Sequence, residues 1–243
     1  MSQRPPHEQK DKAVQSYFRK IYSVYQEKVE REDVADVHSR IKKYIEPRLK
    51  GVVVDIGSGG VAHYKGASIQ KVVSVDNVLE FLKHAKDKTV LNVAADIRAL
   101  PLKNETADRI IIQFVIHHLT ERRLAESLTN VRTAVAESSR ILRPGGEVYF
   151  VDSMVPFLLE QVERSCYGPS YRLLRLLNKP MVFFFSVQNF CRILRRYGLA
   201  PEKILDIDWG KMTDASAALF PRLKFPLRYM PARCRLISAV KRG

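Results

Sequence analysis

At 243 residues and 46% apolar side chains, the chain has the length and composition of one α/β domain with attachments. No stretch approaches the run of about 18 apolar residues that reads as a membrane helix, so a membrane-spanning segment is not expected. The net charge of +15 is uneven: residues 153–243 carry 16 basic against 6 acidic side chains, whereas 51–152 carry 13 against 12.

That asymmetry points to an anionic partner near the C-terminal third: a phosphorylated or carboxylated small molecule, a nucleic acid or an anionic membrane face. The first ten residues are polar with Pro5 and Pro6, which does not read as a signal peptide. Cys166, Cys191 and Cys234 form no CxxC pair, so free thiols and a cytoplasmic location are expected.

In chain order, Val14, Tyr17, Phe18, Ile21, Val24 and Tyr25 recur at helical spacing over 11–30. Val34, Val37, Ile41 and Ile45 repeat the pattern, which stops at Pro47. From Gly51 short apolar runs alternate with helical patterns. Strands are predicted at 52–55, 72–76, 90–94, 109–114 and 147–151, with helices near 78–86 and 121–142. Fully apolar strands separated by helices imply a parallel sheet covered on both faces. Residues 153–185 break the rhythm with a stretch rich in Leu, Phe, Tyr and Arg. A helix (187–197), a strand (203–208), a Pro-rich loop (210–232) and a last strand (233–240) complete the chain.

The first strand ends in chemistry. Val52, Val53 and Val54 lead to Asp55, then Ile56, Gly57, Ser58, Gly59 and Gly60. Glycines at this turn let backbone approach a ligand closely. The second apolar run ends at Asp76, where an acid can accept hydrogen bonds from ribose hydroxyls. A nucleoside-containing cofactor is implied, and the turn by itself also fits a dinucleotide site.

Four further features turn the reading away from a dinucleotide. Asp55 stands two places before the first glycine, where a carboxylate can face a cationic ligand. Asp96 and Ile97 follow the third strand, with Leu100 and Pro101 beyond. The fourth strand runs through Gln113 to His117 and His118, and Arg143, Pro144, Gly145 and Gly146 lead into the fifth. Together these residues resemble the class I S-adenosylmethionine (SAM) dependent methyltransferases over roughly 45–152, closest to the branch of quinone-biosynthesis and natural-product enzymes.

The resemblance implies a doubly wound, mostly parallel seven-stranded sheet, the Rossmann-like methyltransferase fold. It carries an N-terminal helical lid (1–46) on a SAM-binding domain (47–243) with a helical substrate cap at about 153–185. It also implies that Asp55, Gly57, Ser58 and Gly59 line the methionine part of SAM. Asp76 with Asn77 would meet the ribose, Asp96 and Ile97 the adenine, and Gln113 the methionine moiety again. The third glycine of the family loop falls on Val61, with Gly60 one place early. The segment to Gln70 is short for a helix, so the loop that holds Gly60 and His63 is reshaped.

Methyl transfer is an in-line displacement that positioning alone can promote, and no metal is expected. The six histidines show no metal-ligand spacing beyond the adjacent pair. His117 and His118 are candidate bases at the mouth of the fourth strand, or a packed structural pair. If that segment is extended, one of the two faces substrate. Tyr17 and Tyr22 are candidate lid contacts, or core residues of an amphipathic helix.

Phe157, Tyr167, Tyr171, Met181 and residues 183–185 are expected to wall an apolar pocket, or to pack in the core. Arg164, Arg172 and Arg175 are expected to clamp an anionic group. A small-molecule methyltransferase is the leading expectation. An RNA (tRNA) methyltransferase is the alternative, since Glu121, Arg122 and Arg123 after the histidine pair resemble tRNA wobble-uridine enzymes. A SAM-binding protein without methyl transfer is a third. The acceptor atom and oligomeric state are open.

Overall fold

A computed structural model describes residues 32–59, 64, 66–83, 90–177, 179–210 and 231–243. Strands β1 (Gly51–Ile56), β2 (Ile69–Asp76), β3 (Leu91–Ala94), β4 (Ala107–Gln113), β5 (Leu142–Met154), β6 (Leu199–Ile207) and β7 (Arg233–Lys241) form one seven-stranded sheet. Its order is β3-β2-β1-β4-β5-β7-β6, with β7 antiparallel to both β5 and β6. The helices are α1 (Glu32–Ile45), α2 (Leu79–Lys83), α3 (Leu124–Ile141), α4 (Phe157–Leu176) and α5 (Val187–Arg196).

Alternating side chains divide between the two faces of the sheet, as the pleat requires. Val54, Ile56, Ile110, Ile112, Val148 and Phe150 pack with α3, α4 and α5. Val53, Ile111, Tyr149 and Val151 face the other way, against Val37, Ile41 and Ile45 of α1 and against Trp209. Between β1 and β4 the strand order reverses. At that switch point the carboxyl ends of the strands open a crevice, the usual ligand position in such sheets.

Among the described residues the predicted elements are found with shifted ends; the helical pattern over 11–30 lies outside them. β5 begins at Leu142 instead of 147, because the glycine-containing approach is already extended and Leu142 pairs with Ala107. That early start also ends α3 at Ile141. Between β1 and β2 no helix occurs among the described residues, in keeping with the shortened segment. Gly60, Val61 and His63 lie outside the described residues, as do Tyr17, Tyr22 and the loop over 211–230.

Within the 153–185 stretch the described residues form one 20-residue helix, α4, that carries Pro169 within it, followed by chain without regular secondary structure. Glu160, fully buried, accepts from Arg164 Nε (2.9 Å), Ser186 N (2.8 Å) and Asn189 Nδ2 (2.8 Å). Tyr167 Oη bonds Ser127 Oγ at 2.7 Å and the Glu121 carbonyl at 2.8 Å. These buried polar contacts lock the inner face of α4 onto α3 and α5.

Candidate functional site

At the switch point lies a cavity of about 510 Å3, within the size range of cofactor pockets. One wall consists of strand ends. Asp55 of β1, Asp76 at the end of β2, and Asp96 just past β3 all line it, together with Gly57, Ser58, Gly59, Asn77, Ile97 and Gln113. Every residue predicted to hold the cofactor therefore lies on one cavity.

Local structure explains how each is held. Gly57 has φ +73°, and a Cβ there would collide with Cγ2 of Val115, so the turn requires glycine. Its N–H donates to the Val75 carbonyl at 2.7 Å, tying the turn to β2. Asp76 accepts from Gly59 N at 2.9 Å and Val78 N at 2.8 Å. Burial raises the Asp76 pKa, and those backbone donors oppose the rise. Asp96 is gripped by Arg98, with Nε to Oδ1 at 2.9 Å and an ion pair at 2.5 Å.

Asp55 is almost fully buried and accepts from Tyr64 Oη at 2.9 Å. Gln113 Nε2 donates to the same phenol oxygen at 3.3 Å. Burial pushes the Asp55 carboxyl up to about 7, with the nearby Asp76 charge adding to the rise and Tyr64 and Lys42 opposing it. A buried acid at that value suits a cationic ligand, which would restore its ionised form. Asp108 lies elsewhere: it accepts from Val52 N at 2.8 Å and pairs with Arg143, a structural role.

The opposite wall is different. His38, Ser39 and Lys42, one turn of α1, line it, and Phe81, Phe114, Val115 and Leu119 add apolar surface to the cavity. α1 is held there by its buried Val37, Ile41 and Ile45, and by Arg40, which pairs with Asp36 and Asp208. Burial lowers the His38 pKa, and the Lys42 charge lowers it further. Phe114 sits at φ 54°, a left-handed backbone uncommon outside glycine. It stacks on Trp209 (6.1 Å between centroids) and meets the edge of His38 (5.9 Å).

The histidine pair is divided. His118 lines the cavity, while His117 turns to Asp152, with Nδ1 to Oδ1 at 2.5 Å. The segment is a turn of 3-10 helix, Ile116–His118, rather than the extended chain expected, so the separation arises from the turn and not from strand alternation. Burial holds the His118 pKa well below its ordinary value, with the His117 charge as a second cause. His118 is therefore a neutral imidazole near pH 7.

The aromatic residues of the 153–185 stretch do not line the cavity. Tyr167, Phe183 and Phe185 are core residues, and Phe157 is exposed on the outer surface. Arg164 is bound to Glu160 and lies over Phe183, so it faces the core instead of a ligand. Sequence reasoning missed His38, Lys42, Tyr64 and Phe114. α1 was legible as a helix, but no local pattern says which polar turn faces a distant strand end.

This arrangement, a reversed strand order with acids at successive strand ends, defines a class I methyltransferase fold. Residues 54–150 match the family described as a methyltransferase domain. A curated "uncharacterized methyltransferase" of Anoxybacillus flavithermus is 27% identical over 135 residues, 54% of this chain and 60% of that protein. The chain thus spans less than two thirds of that relative's length.

Among solved structures, one similar chain belongs to the complex between the Haloferax volcanii Trm112 methyltransferase activator and a methyltransferase. Its TM-score is 0.66 at 17% identity, covering 95% of this chain and 98% of that one. Another is the Burkholderia thailandensis 1,6-didemethyltoxoflavin-N1-methyltransferase with its namesake compound and S-adenosylhomocysteine bound. There the TM-score is 0.63 at 14% identity, over 100% of this chain and 93% of that one. Residues 54–150 thus match a methyltransferase domain, and the fold of the chain is that of the class I methyltransferases.

Proposed function

We propose that this chain transfers a methyl group from SAM to a small acceptor with an apolar or aromatic scaffold, and that the acceptor carries an acidic substituent. The observation that carries the reading is the convergence of Asp55, Asp76 and Asp96 on one cavity beside the Gly57 turn. When bound, SAM supplies an electrophilic methyl on a cationic sulfonium. Asp55, with Gly57, Ser58, Gly59 and Gln113, surrounds the methionine part; Asp76 and Asn77 take the ribose; Asp96 and Ile97 take the adenine.

The α1 wall receives the acceptor. Phe114, Val115 and Leu119 offer apolar surface, and Lys42 offers a cation for an acidic substituent. Residues 1–46 act as the lid, with α1 as its described end, over a domain of 47–243. A lid excludes water and aligns the acceptor for in-line attack. His118, neutral and buried, presents its imidazole to the cavity, where it can orient the acceptor by a hydrogen bond; His117 lies against it with a ring contact at 4.0 Å.

The free cysteines, two of them buried, are in keeping with a reducing cytoplasm. No helix among the described residues is long and apolar enough to cross a membrane. A cavity walled by aromatic and aliphatic groups favours a small acceptor over RNA. Lys42 and Arg98 are the Lys and Arg side chains lining it among the described residues, and Arg98 is committed to Asp96.

The test is calorimetry with SAM and S-adenosylhomocysteine, followed by transfer of labelled methyl from SAM to a small-molecule extract and to bulk tRNA. Micromolar binding with label in the small-molecule fraction is expected. Label in tRNA would move the acceptor to RNA, and a folded protein without SAM binding would overturn the reading altogether.

A further inference from the structure

Helix α4 is amphipathic twice over. Its inner face is fixed by Glu160 and Tyr167, so the helix cannot rotate to hide what its outer face carries. That outer face is a seam of Leu158, Val162, Pro169, Leu173 and Leu176, spaced so that all five share one side of the helix. Leu158 and Leu176 are 77% and 81% exposed, and Val162 and Leu173 are 56% and 55% exposed. Single exposed aliphatics are ordinary; a row over five turns, interrupted only at Ser165 and Cys166, marks an interaction surface.

The charge around the seam selects the occupant. Arg172 and Arg175 flank it and are exposed, whereas the two acids of α4, Glu160 and Glu163, are buried or half-buried and committed to inward hydrogen bonds. The neighbouring α5 adds exposed Arg192, Arg195 and Arg196. A second copy of a chain carrying +15 would bring like charge to this face. An apolar ridge with exposed Arg172 and Arg175 alongside it, on a helix whose two acids are turned inward, matches the interface of an anionic bilayer, where aliphatic groups enter the acyl boundary and arginines meet headgroups.

We propose that the outer face of α4 docks the protein on an anionic lipid surface. α4 begins three residues after β5 ends, at the carboxyl end of that strand, the end of the sheet at which the cavity lies. Docking through it carries the protein to a phase in which apolar acceptors concentrate. The helix lies on the membrane in this arrangement and does not cross it.

The experiment is co-sedimentation of the full chain with vesicles of phosphatidylglycerol and phosphatidylcholine, compared with phosphatidylcholine alone, near 0.1 M salt. The wild type should partition onto the anionic vesicles about tenfold or more above the neutral ones. The double variants Leu173→Gln/Leu176→Gln and Arg172→Glu/Arg175→Glu should each lose about tenfold of that partition while keeping the thermal midpoint and SAM affinity. Equal partition on both vesicles, or full retention by both variants, would overturn the proposal. So would light scattering that finds a dimer dissolved by the leucine variant, which would assign the face to a second copy.

Discussion

The two walls of the cavity are built from different kinds of structure. The strand-end wall is held from within: Asp76 is fixed by two backbone N–H groups, Asp96 by Arg98, and the Gly57 turn by the β2 backbone. The α1 wall is held from outside, by apolar residues on the far side of the helix that bury Val37, Ile41 and Ile45 against the sheet. The first wall is a product of short-range geometry and the second of tertiary packing. It follows that the first should govern cofactor affinity, and the second the choice of acceptor.

The largest test of that division is Asp76→Ala. It removes the proposed ribose acceptor and leaves Gly59 N and Val78 N without their carboxylate, at a cost of about 1–3 kcal/mol. SAM affinity measured by calorimetry should fall about 10- to 100-fold. An unchanged affinity would show that the ribose is held elsewhere.

A second test uses pH. Asp55 titrates near 7 in the folded protein, and a cationic ligand favours its ionised form. SAM affinity should therefore fall by up to about tenfold per unit as pH drops below 7, with proton release on binding below pH 7 that fades above it, and Asp55→Asn should flatten the profile. For stability the sign runs the other way. The folded pKa lies above the unfolded value of about 3.9. The contribution of Asp55 to stability is thus fully present below that value and lost as pH rises through about 7. The ligand-free thermal midpoint of Asp55→Asn should lose less than that of the wild type between pH 5 and 8.

These contrasts also explain what was legible in the sequence. Asp55, Gly57, Asp76 and Asp96 could be read because each sits at the end of an apolar run whose period and length are local properties. His38 and Lys42 could not, since the pattern that reveals α1 is its apolar face, and the cavity lies against its polar one. Phe114 adopts a left-handed backbone that no residue preference announces. The aromatics of 153–185 left two readings open, and Tyr167, Phe183 and Phe185 take the core one. Aliphatic and aromatic residues on a cap and in a core have the same composition, and only the buried Glu160 latch decides between them.

Lys42→Met probes the α1 wall. It removes a cation from the acceptor side and leaves the strand-end hydrogen bonds intact, so SAM affinity at pH 8 should stay within about threefold of wild type. A loss like that of Asp76→Ala would place the methionine carboxylate against Lys42 and collapse the distinction between the walls.

The smallest effect is expected where the two walls touch. Tyr64 donates to Asp55 and accepts from Gln113, and its phenol is one of the groups that hold the Asp55 pKa down. Tyr64→Phe keeps the ring but removes a hydrogen bond worth about 1 kcal/mol to the ionised carboxylate. Since one pKa unit corresponds to about 1.4 kcal/mol, the midpoint of the SAM affinity profile should move upward by somewhat less than one unit. At pH 8.5, where Asp55 is ionised in both proteins, the affinities should converge. A uniform loss across the whole pH range would mean that Tyr64 contacts the cofactor directly, and that its bond to Asp55 is incidental to binding.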